Sequence, residues 1–458
     1  MLRSIKSKQH SAWECSDFHL SADAGLVRFR NTCMPNIRSS YTDRVNFFGG
    51  ENPLELAARF GTPLYVYNEH ILRRRCRELA GLSAHPGFHV NYSAKANTNP
   101  VLLSIIREEG CVVDAMSPGE IFLNLHAGFT PDQILYVCNN VDADELKNAA
   151  DRGLLVSVDS LSQLELYGRV NPGGRVMIRF NPGIGAGHSA KVITGGKETK
   201  FGVEPARMDE ALAVVARHGL RLVGINQHIG SLFMDGESYV AAMDVLLALA
   251  ARLKEKGVRL ELIDFGGGFG IPYHKYDGEK RLDMAGLGML LHRRISDWSA
   301  EYGYAGRFYI EPGRYVVAEC GLVLGRVNAV KNNGSNIYAG TDIGFNVLAR
   351  PMLYDAFHDM EIYREGGVPD EELVEQTVVG NICESGDILA KKRLLPRLRE
   401  GDILAALDAG AYGYVMASTY NSRLRPAEVL IGEDGAARLI RRRETLEDLA
   451  STLLCSLN

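Results

Sequence analysis

The run Phe88-His89-Val90-Asn91-Tyr92-Ser93-Ala94 is apolar and β-prone, and it stops at Lys95-Ala96-Asn97. One such run is only a strand; its recurrence decides the fold. Comparable runs occupy 111–115, 134–138, 154–158, 176–180, 221–226, 260–265 and 307–311, each of a length suited to a buried strand. Helical patterns lie between most of them, as in Val101 to Arg107, Pro118 to His126 and Tyr239 to Lys256. Eight β runs alternating with helices predict an α/β fold of the (β/α)8 barrel type. In such a barrel the chemistry sits at the C-terminal ends of the strands, and polar residues and glycines do gather where each run stops. The ends read Lys95, Asp114-Ala115-Met116-Ser117, Asn139-Asn140, Asp159-Ser160, Arg179 with Asn181, His228-Ile229-Gly230-Ser231, Gly266-Gly267-Gly268 and Glu311-Pro312-Gly313-Arg314.

Outward from the barrel the pattern changes. Asn52 to Gly61 reads as a short helix, with Asn52 as its cap, Pro53 in its first turn and Gly61 just past its end. Leu64-Tyr65-Val66-Tyr67 reads as a strand ahead of the barrel. Beyond 315 the regular helices disappear, and strand-like pieces at Val316 to Ala318, Leu322 to Val330, Gln376 to Val379 and Ile403 to Ala406 predict a C-terminal, mainly antiparallel β-domain. The expected division is an N-terminal extension over 1–44 with no assigned role, a segment over 45–70 that joins the β-domain, a barrel over 71–315 and the β-domain over 316–458.

Composition excludes several classes. A chain of 458 residues exceeds one small core, and 46% hydrophobic with 23% charged residues is ordinary for a soluble globular protein. The net charge is −5 with no basic stripe, which argues against nucleic acid as a partner. No apolar run approaches the roughly 20 residues that span a bilayer, so no membrane is expected, and the N-terminus lacks the apolar core of a secretory signal. The eight cysteines form no CxxC pair, which points to reduced thiols in a cytoplasm. No metal is expected.

Several strand-end residues suggest chemistry. Lys95 directly follows an apolar run; a solvated surface lysine is the ordinary alternative, but among apolar walls its pKa would fall and its neutral amine could form an imine. Gly266 to Gly268 let backbone N–H groups approach a phosphate, or simply make a tight turn; Gly313 and Ser231 are further candidates for phosphate contacts. Glu311 is a helix cap, an Arg314 ion pair, or a carboxylate facing a pyridine nitrogen, which would make the ring an electron sink. His228 is a structural histidine or one stacked on a cofactor ring. In the C-terminal half Arg350 and Tyr354 stand four apart, and a guanidinium fork suits a carboxylate. Cys383-Glu384-Ser385-Gly386-Asp387 sets a thiol beside a carboxylate, or is a polar loop. Asp408-Ala409-Gly410-Ala411-Tyr412-Gly413 offers a tyrosine in a glycine-flanked turn.

Together Tyr92 to Asn97, His228 to Ser231, Gly266 to Gly270, Glu311 to Arg314, Arg350-Pro351 with Tyr354, Cys383 to Asp387 and Gly410 to Gly413 closely resemble the diaminopimelate decarboxylase family, which are fold-type III pyridoxal-phosphate enzymes grouped with alanine racemase and ornithine decarboxylase. The resemblance runs from about residue 45 to 445 in the family's order. It implies pyridoxal 5'-phosphate held by Lys95, with His228 against its ring and Glu311 at its nitrogen. Asp114 joins the cofactor-binding set, and Ser231, Gly266, Gly267, Gly268, Gly313, Arg314 and Tyr412 complete it. It implies that Arg314, Arg350, Tyr354, Glu384 and Tyr412 bind meso-diaminopimelate, and that Cys383 protonates the carbanion to give L-lysine. It also implies a homodimer with shared sites, because the Cys-Glu segment reaches the partner's active site in that family.

Two features depart from the pattern. Leu232 stands where the family usually has glutamine, and residues 183 to 202 form a glycine-rich version of the family's loop. Four other readings compete: a decarboxylase of ornithine, lysine or arginine, which should prefer aspartate after the cysteine; a racemase; an inert pyridoxal-phosphate binder; and a phosphosugar barrel enzyme.

Overall fold

The computed structural model describes residues 40–185, 199–368 and 373–454. Most of the extension expected over 1–44, and most of the loop expected over 183–202, lie outside the described residues.

Strand β1 (Leu64–Asn68) comes first. Eight parallel strands follow and close on themselves: β2 (Phe88–Tyr92), β3 (Val112–Ala115), β4 (Ile134–Val137), β5 (Leu155–Val158), β6 (Arg175–Arg179), β7 (Arg221–Asn226), β8 (Leu262–Asp264) and β9 (Arg307–Ile310). The barrel shuts where Phe88 pairs with Phe308. Each strand is almost wholly buried because helices cover its outer face and side chains fill its inner one.

The helices start where their sequences provide caps. The side chains of Ser117, Asp142 and Ser160 each accept a hydrogen bond from the backbone N–H three residues on, satisfying donors that the helix leaves open. Pro100 and Pro118 occupy first-turn positions, where a missing N–H costs nothing.

The second domain holds β10 (Gly321–Asn333), β11 (Asn336–Thr341), β12 (Met360–Tyr363), β13 (Val374–Val379), β14 (Ile388–Leu395), β15 (Ile403–Ala406), β16 (Ala427–Ile431) and β17 (Ala437–Arg441). With β1 they form a mainly antiparallel sheet of nine strands among the described residues. Strand β1 lies inside it, antiparallel to β10 and parallel to β16.

One expectation fails: Val316 to Ala318 is not strand. Arg314–Val317 is a short helical turn, closed by Ala318 N–H donating to the Arg314 carbonyl at 2.9 Å. The β-branched pair favours strand locally, but all four side chains of the turn are buried at the barrel exit, and tertiary packing overrides propensity there.

A buried ion cluster stands at the domain junction. The Glu319 side chain is fully buried and meets Arg75 at 2.7 Å, Lys275 at 2.9 Å and Arg281 at 2.6 Å. Tyr41 of the first described helix donates to the same carboxylate at 3.2 Å. Burial pushes the Glu319 carboxyl up, but Arg281, Lys275 and Arg75 outweigh it and hold the group well below the usual carboxylate range. Lys275 and Arg75 keep Asp408 at 3.2 Å and Glu78 at 2.6 Å, but losing the central carboxylate leaves the cluster under-compensated, so Glu319→Gln is expected to lose about 3 kcal/mol in denaturant unfolding. A depressed folded pKa gives stability that is complete above the unfolded value, about 4.3, and lost as pH falls toward the folded one. The wild-type unfolding free energy should therefore fall more steeply than the variant's below about pH 4.3.

Candidate active site

Lys95 sits in a tight turn, Ala94–Ala96, just past β2. Asp114, at the end of β3, shapes that turn: its carboxyl accepts from Ser93 Oγ at 2.8 Å and from the Ala94 N–H at 2.9 Å. Ser93 N–H donates to the Pro312 carbonyl at 3.1 Å. The β-domain grips the other side. Tyr412 N–H donates to the Ala96 carbonyl at 2.8 Å, and Asn97 Nδ2 donates to the Gly410 carbonyl at 3.0 Å and to Tyr67 Oη at 3.2 Å. Lys95 is half-buried. The apolar walls expected around it are replaced by ionisable groups: its charge acts on Asp114, Glu120, His228 and Glu311.

The triple glycine follows from close approach of backbones. A Cβ on Gly267 would stand 1.7 Å from the Glu311 carbonyl oxygen, and one on Gly266 would stand 2.2 Å from that of Gln227. No side chain fits either gap. Gly267 N–H donates to His228 Nδ1 at 3.1 Å, so the ring's proton lies on Nε2. Burial, then the charges of Lys95 and Arg179, hold His228 well below its ordinary pKa and keep it neutral. Glu311 lies 3.9 Å from His228 Nδ1. Burial and the adjacent Asp264 push its carboxyl up, against the pull of Lys95 and Arg179.

Beside this group lies a guanidinium pair. Arg314 donates to Tyr273 Oη at 2.7 Å and to Ser231 Oγ at 3.0 Å, and stands 5.0 Å from the Tyr412 ring centre. Arg350 lies 4.9 Å from the Tyr273 ring centre and donates to His358 Nε2 at 2.9 Å. His358 Nδ1 is 2.6 Å from the Leu407 carbonyl, which makes Nδ1 the donor and Nε2 the acceptor. Tyr354 is half-buried and acts electrostatically on Arg314. Gly313 packs on Ser93 and Ala96. Leu232, in the position of the family's usual glutamine, has φ 67°, a conformation that a bulky residue rarely adopts.

The structure thus brings together Lys95, Asp114, His228, Ser231, Gly266, Gly267, Gly268, Glu311, Gly313, Arg314, Arg350, Tyr354 and Tyr412. Cys383 and Glu384 stand apart on an exposed loop of the β-domain. Their described hydrogen bonds are to Asn421, Ser385, Ile382 and Asp387, not to the barrel. That loop is shaped by Asp387, which accepts from the Ile382 and Phe345 N–H groups. Sequence reading missed Asp264, Tyr273 and His358. Only Asp264 carried a signal, as the polar residue just before the β8 turn.

The donor set suits pyridoxal phosphate: a half-buried amine, a neutral imidazole, a buried carboxyl and guanidinium groups converge on one end of the barrel. Buried polar atoms there lack partners within the chain, among them Arg179 Nη2, Arg314 Nε and Asn226 Nδ2, as expected of a polar group's seat. A separate cleft of about 580 Å³, lined in part by Trp298 and Tyr302, opens near the opposite ends of β8 and β9. Among the described residues no His, Cys, Asp and Glu group is arranged to hold a metal ion, and no helix is long and apolar enough to cross a membrane.

Comparison with known proteins agrees with this geometry. Residues 70–318 match the pyridoxal-binding domain of the pyridoxal-dependent decarboxylases. The chain is 44% identical to diaminopimelate decarboxylase of Methanothermobacter thermautotrophicus over 407 residues, which is 88% of this chain and 94% of the relative. It is 38% identical to that of Escherichia coli K12 over 412 residues, 87% of this chain and 95% of the relative. Among solved structures, diaminopimelate decarboxylase from Helicobacter pylori complexed with L-lysine superposes with a TM-score of 0.80 at 31% identity, covering 87% of this chain and 98% of that one. Fold, strand-end constellation and sequence agree, and the chain belongs to the pyridoxal-dependent diaminopimelate decarboxylase family.

Proposed function

We propose that this protein decarboxylates meso-2,6-diaminopimelate to L-lysine and carbon dioxide, the last step of lysine biosynthesis. The observation that carries the substrate is the guanidinium pair on Tyr273. A diamino dicarboxylate keeps one carboxylate after the other departs, and two buried arginines beside one ring suit the carboxylate that stays. Pyridoxal phosphate, when bound, would supply an electron-withdrawing ring, the electron sink that loss of carbon dioxide requires.

The chain's own residues do the rest. Lys95 Nζ would anchor the cofactor, and Asp114 fixes the turn that carries it. Neutral His228 would hold the ring without the repulsion that a charged imidazolium would bring. Glu311 would keep a proton on the ring nitrogen. Ser231, Gly266, Gly267, Gly268, Gly313, Arg314 and Tyr412 would hold the phosphate. Arg314, Arg350, Tyr354, Glu384 and Tyr412 hold the substrate's polar ends. Cys383 delivers the Sγ proton to the α-carbon once the carboxylate has left.

Cys383 and Glu384 are exposed here, so their roles require a second copy of the chain to bring them to a barrel. The exposed side chains Met352, Leu353 and Tyr420 support a homodimer with shared sites. They cluster round the same loop, because Met352 packs near Gly386 and Asn421, next to Tyr420, holds the Cys383 N–H. The five described cysteines are unpaired, which suits a cytoplasmic location. The pairing of β1 with β10 and β16 supports assigning 45–70 to the β-domain with 316–458, the barrel spanning 71–315; residues 1–44 are an extension without a proposed role.

Carbon dioxide release from meso-diaminopimelate should exceed that from lysine or ornithine; faster turnover of either monocarboxylic amino acid would refute the substrate assignment. Cys383→Ala should bind cofactor normally and lose most turnover, and a verified mixed dimer of Lys95→Ala and Cys383→Ala chains should regain activity that neither parent has. His358→Phe removes the acceptor that orients Arg350. A hydrogen bond to a charged group contributes about 1.5–3 kcal/mol, so kcat/KM for diaminopimelate should fall roughly 10- to 150-fold, with cofactor affinity unchanged and partial recovery in His358→Gln.

A further inference from the structure

We propose that Asp264 and Glu311 share a single proton between adjacent carboxyl oxygens, and that Asp264 is thereby a positioning residue that sets the orientation and charge of Glu311. The inference rests on the reading of Glu311 as the partner of a pyridine nitrogen. Asp264 ends β8, and Glu311 follows β9, its neighbour in the barrel. Their backbones are locked together: Glu311 N–H donates to the Gly266 carbonyl at 2.9 Å, and Phe265 N–H donates to the Tyr309 carbonyl at 2.9 Å. Both side chains are buried and stand within hydrogen-bonding reach of each other.

The partners of each oxygen expose the problem that one proton solves. Asp264 Oδ1 accepts from the Gly266 N–H at 2.9 Å. Asp264 Oδ2 and Glu311 Oε1 are buried without a well-formed hydrogen bond from an N–H or O–H, with the Asn91 side chain set beside Asp264. Two bare carboxylates in contact away from water would repel and leave these oxygens unsatisfied. A proton on one carboxyl satisfies both oxygens through a single O–H···O bond. The groups facing the pair are Asp114, Lys95, Arg179, His228, Tyr239 and Tyr309. His228 is neutral and the tyrosines keep their protons, so Lys95 and Arg179 face five carboxyls, those of Asp114, Glu120, Asp159, Asp264 and Glu311, and charge balance favours protonation within this group. Burial raises the proton affinity of both members of the pair. With a protonated pyridine nitrogen opposite, Glu311 is the ionised member and Asp264 the acid that donates to it.

The arrangement separates an isosteric substitution from a truncating one. In Asp264→Asn the amide still accepts from Gly266 and donates to Glu311, as the acid did. In Asp264→Ala nothing does. Infrared difference spectra of the apo chain should contain a protonated-carboxyl band in the wild type that is lost in both Asp264→Asn and Glu311→Gln. In the holoenzyme, Asp264→Ala should raise the pyridoxal-phosphate dissociation constant roughly tenfold or more and make the cofactor absorbance titrate at a different pH. Asp264→Asn should restore both toward wild type. Absence of the band, its persistence in both carboxyl variants, or equal behaviour of the Asn and Ala variants would overturn the shared proton. A wild-type chain that takes up no pyridoxal phosphate would instead overturn the cofactor reading, and the infrared result on the apo chain would still stand.

Discussion

The main-chain oxygen of Glu311 stands 1.7 Å from the point that a Cβ on Gly267 would occupy. This contact between the ends of β8 and β9 is the constraint on which the site depends. Without a side chain at 267, the two strand ends close until Gly267 N–H reaches His228 Nδ1. That hydrogen bond fixes the imidazole's tautomer and, with burial, its neutrality. The same closure sets Glu311 beside Asp264. A bulkier residue at 267 would part the strands and separate the imidazole, the two carboxyls and Lys95. Glycine here serves chemistry through packing, whether or not a phosphate lies over the loop.

The second constraint is that the β-domain completes the barrel's active end. Tyr412 N–H and the Gly410 carbonyl hold the Lys95 turn. Asn97 and Asn99 extend the connection through Tyr67 and Glu428, with Tyr67 Oη donating to Glu428 at 2.7 Å and Asn99 Nδ2 donating at 2.9 Å. Strand β1 therefore does more than precede the barrel. It carries Tyr67 through the β-domain sheet to the residue next but one to Lys95. The Glu319 cluster secures the same junction from the other side, so a shift of one domain on the other would move the lysine.

The fold was legible because barrel strands write their ends into the sequence. A strand buried on both faces must be apolar, and a site at its C-terminal end must be polar, so each boundary coincides with a change of chemistry. The run ending near Lys95 and the one ending at Asp264-Phe265 fall within a few residues of β2 and β8. Val316 and Val317 misled because their local preference is for strand, whereas burial at a sharp exit demands a turn. Lys95 was placed correctly at a strand end but in the wrong surroundings. The neighbours that act on it come from elsewhere on the chain, and strand-by-strand reading cannot weigh charges that meet only after the barrel closes.

The same limit explains the residues that sequence reading passed over. His358 and Tyr273 matter only because a short helix, Arg350–Tyr354, brings Arg350 over a ring that follows β8, and neither lies in a motif of its own. Asp264 looks like the last polar residue of a strand until Glu311 arrives beside it. Cys383 presents the opposite case, since its motif is plain in sequence while one chain leaves it at the surface. Its backbone N–H donates to Asn421, its thiol is exposed beside Met352 and Tyr420, and such a thiol is a poor proton donor to a barrel within its own chain. In the proposed homodimer it would meet the barrel of a second copy, where docking would remove its water and set its distance to the α-carbon. On that reading the homodimer is the step that assembles the proton donor, and the rigid barrel end is what makes a donor arriving from outside effective.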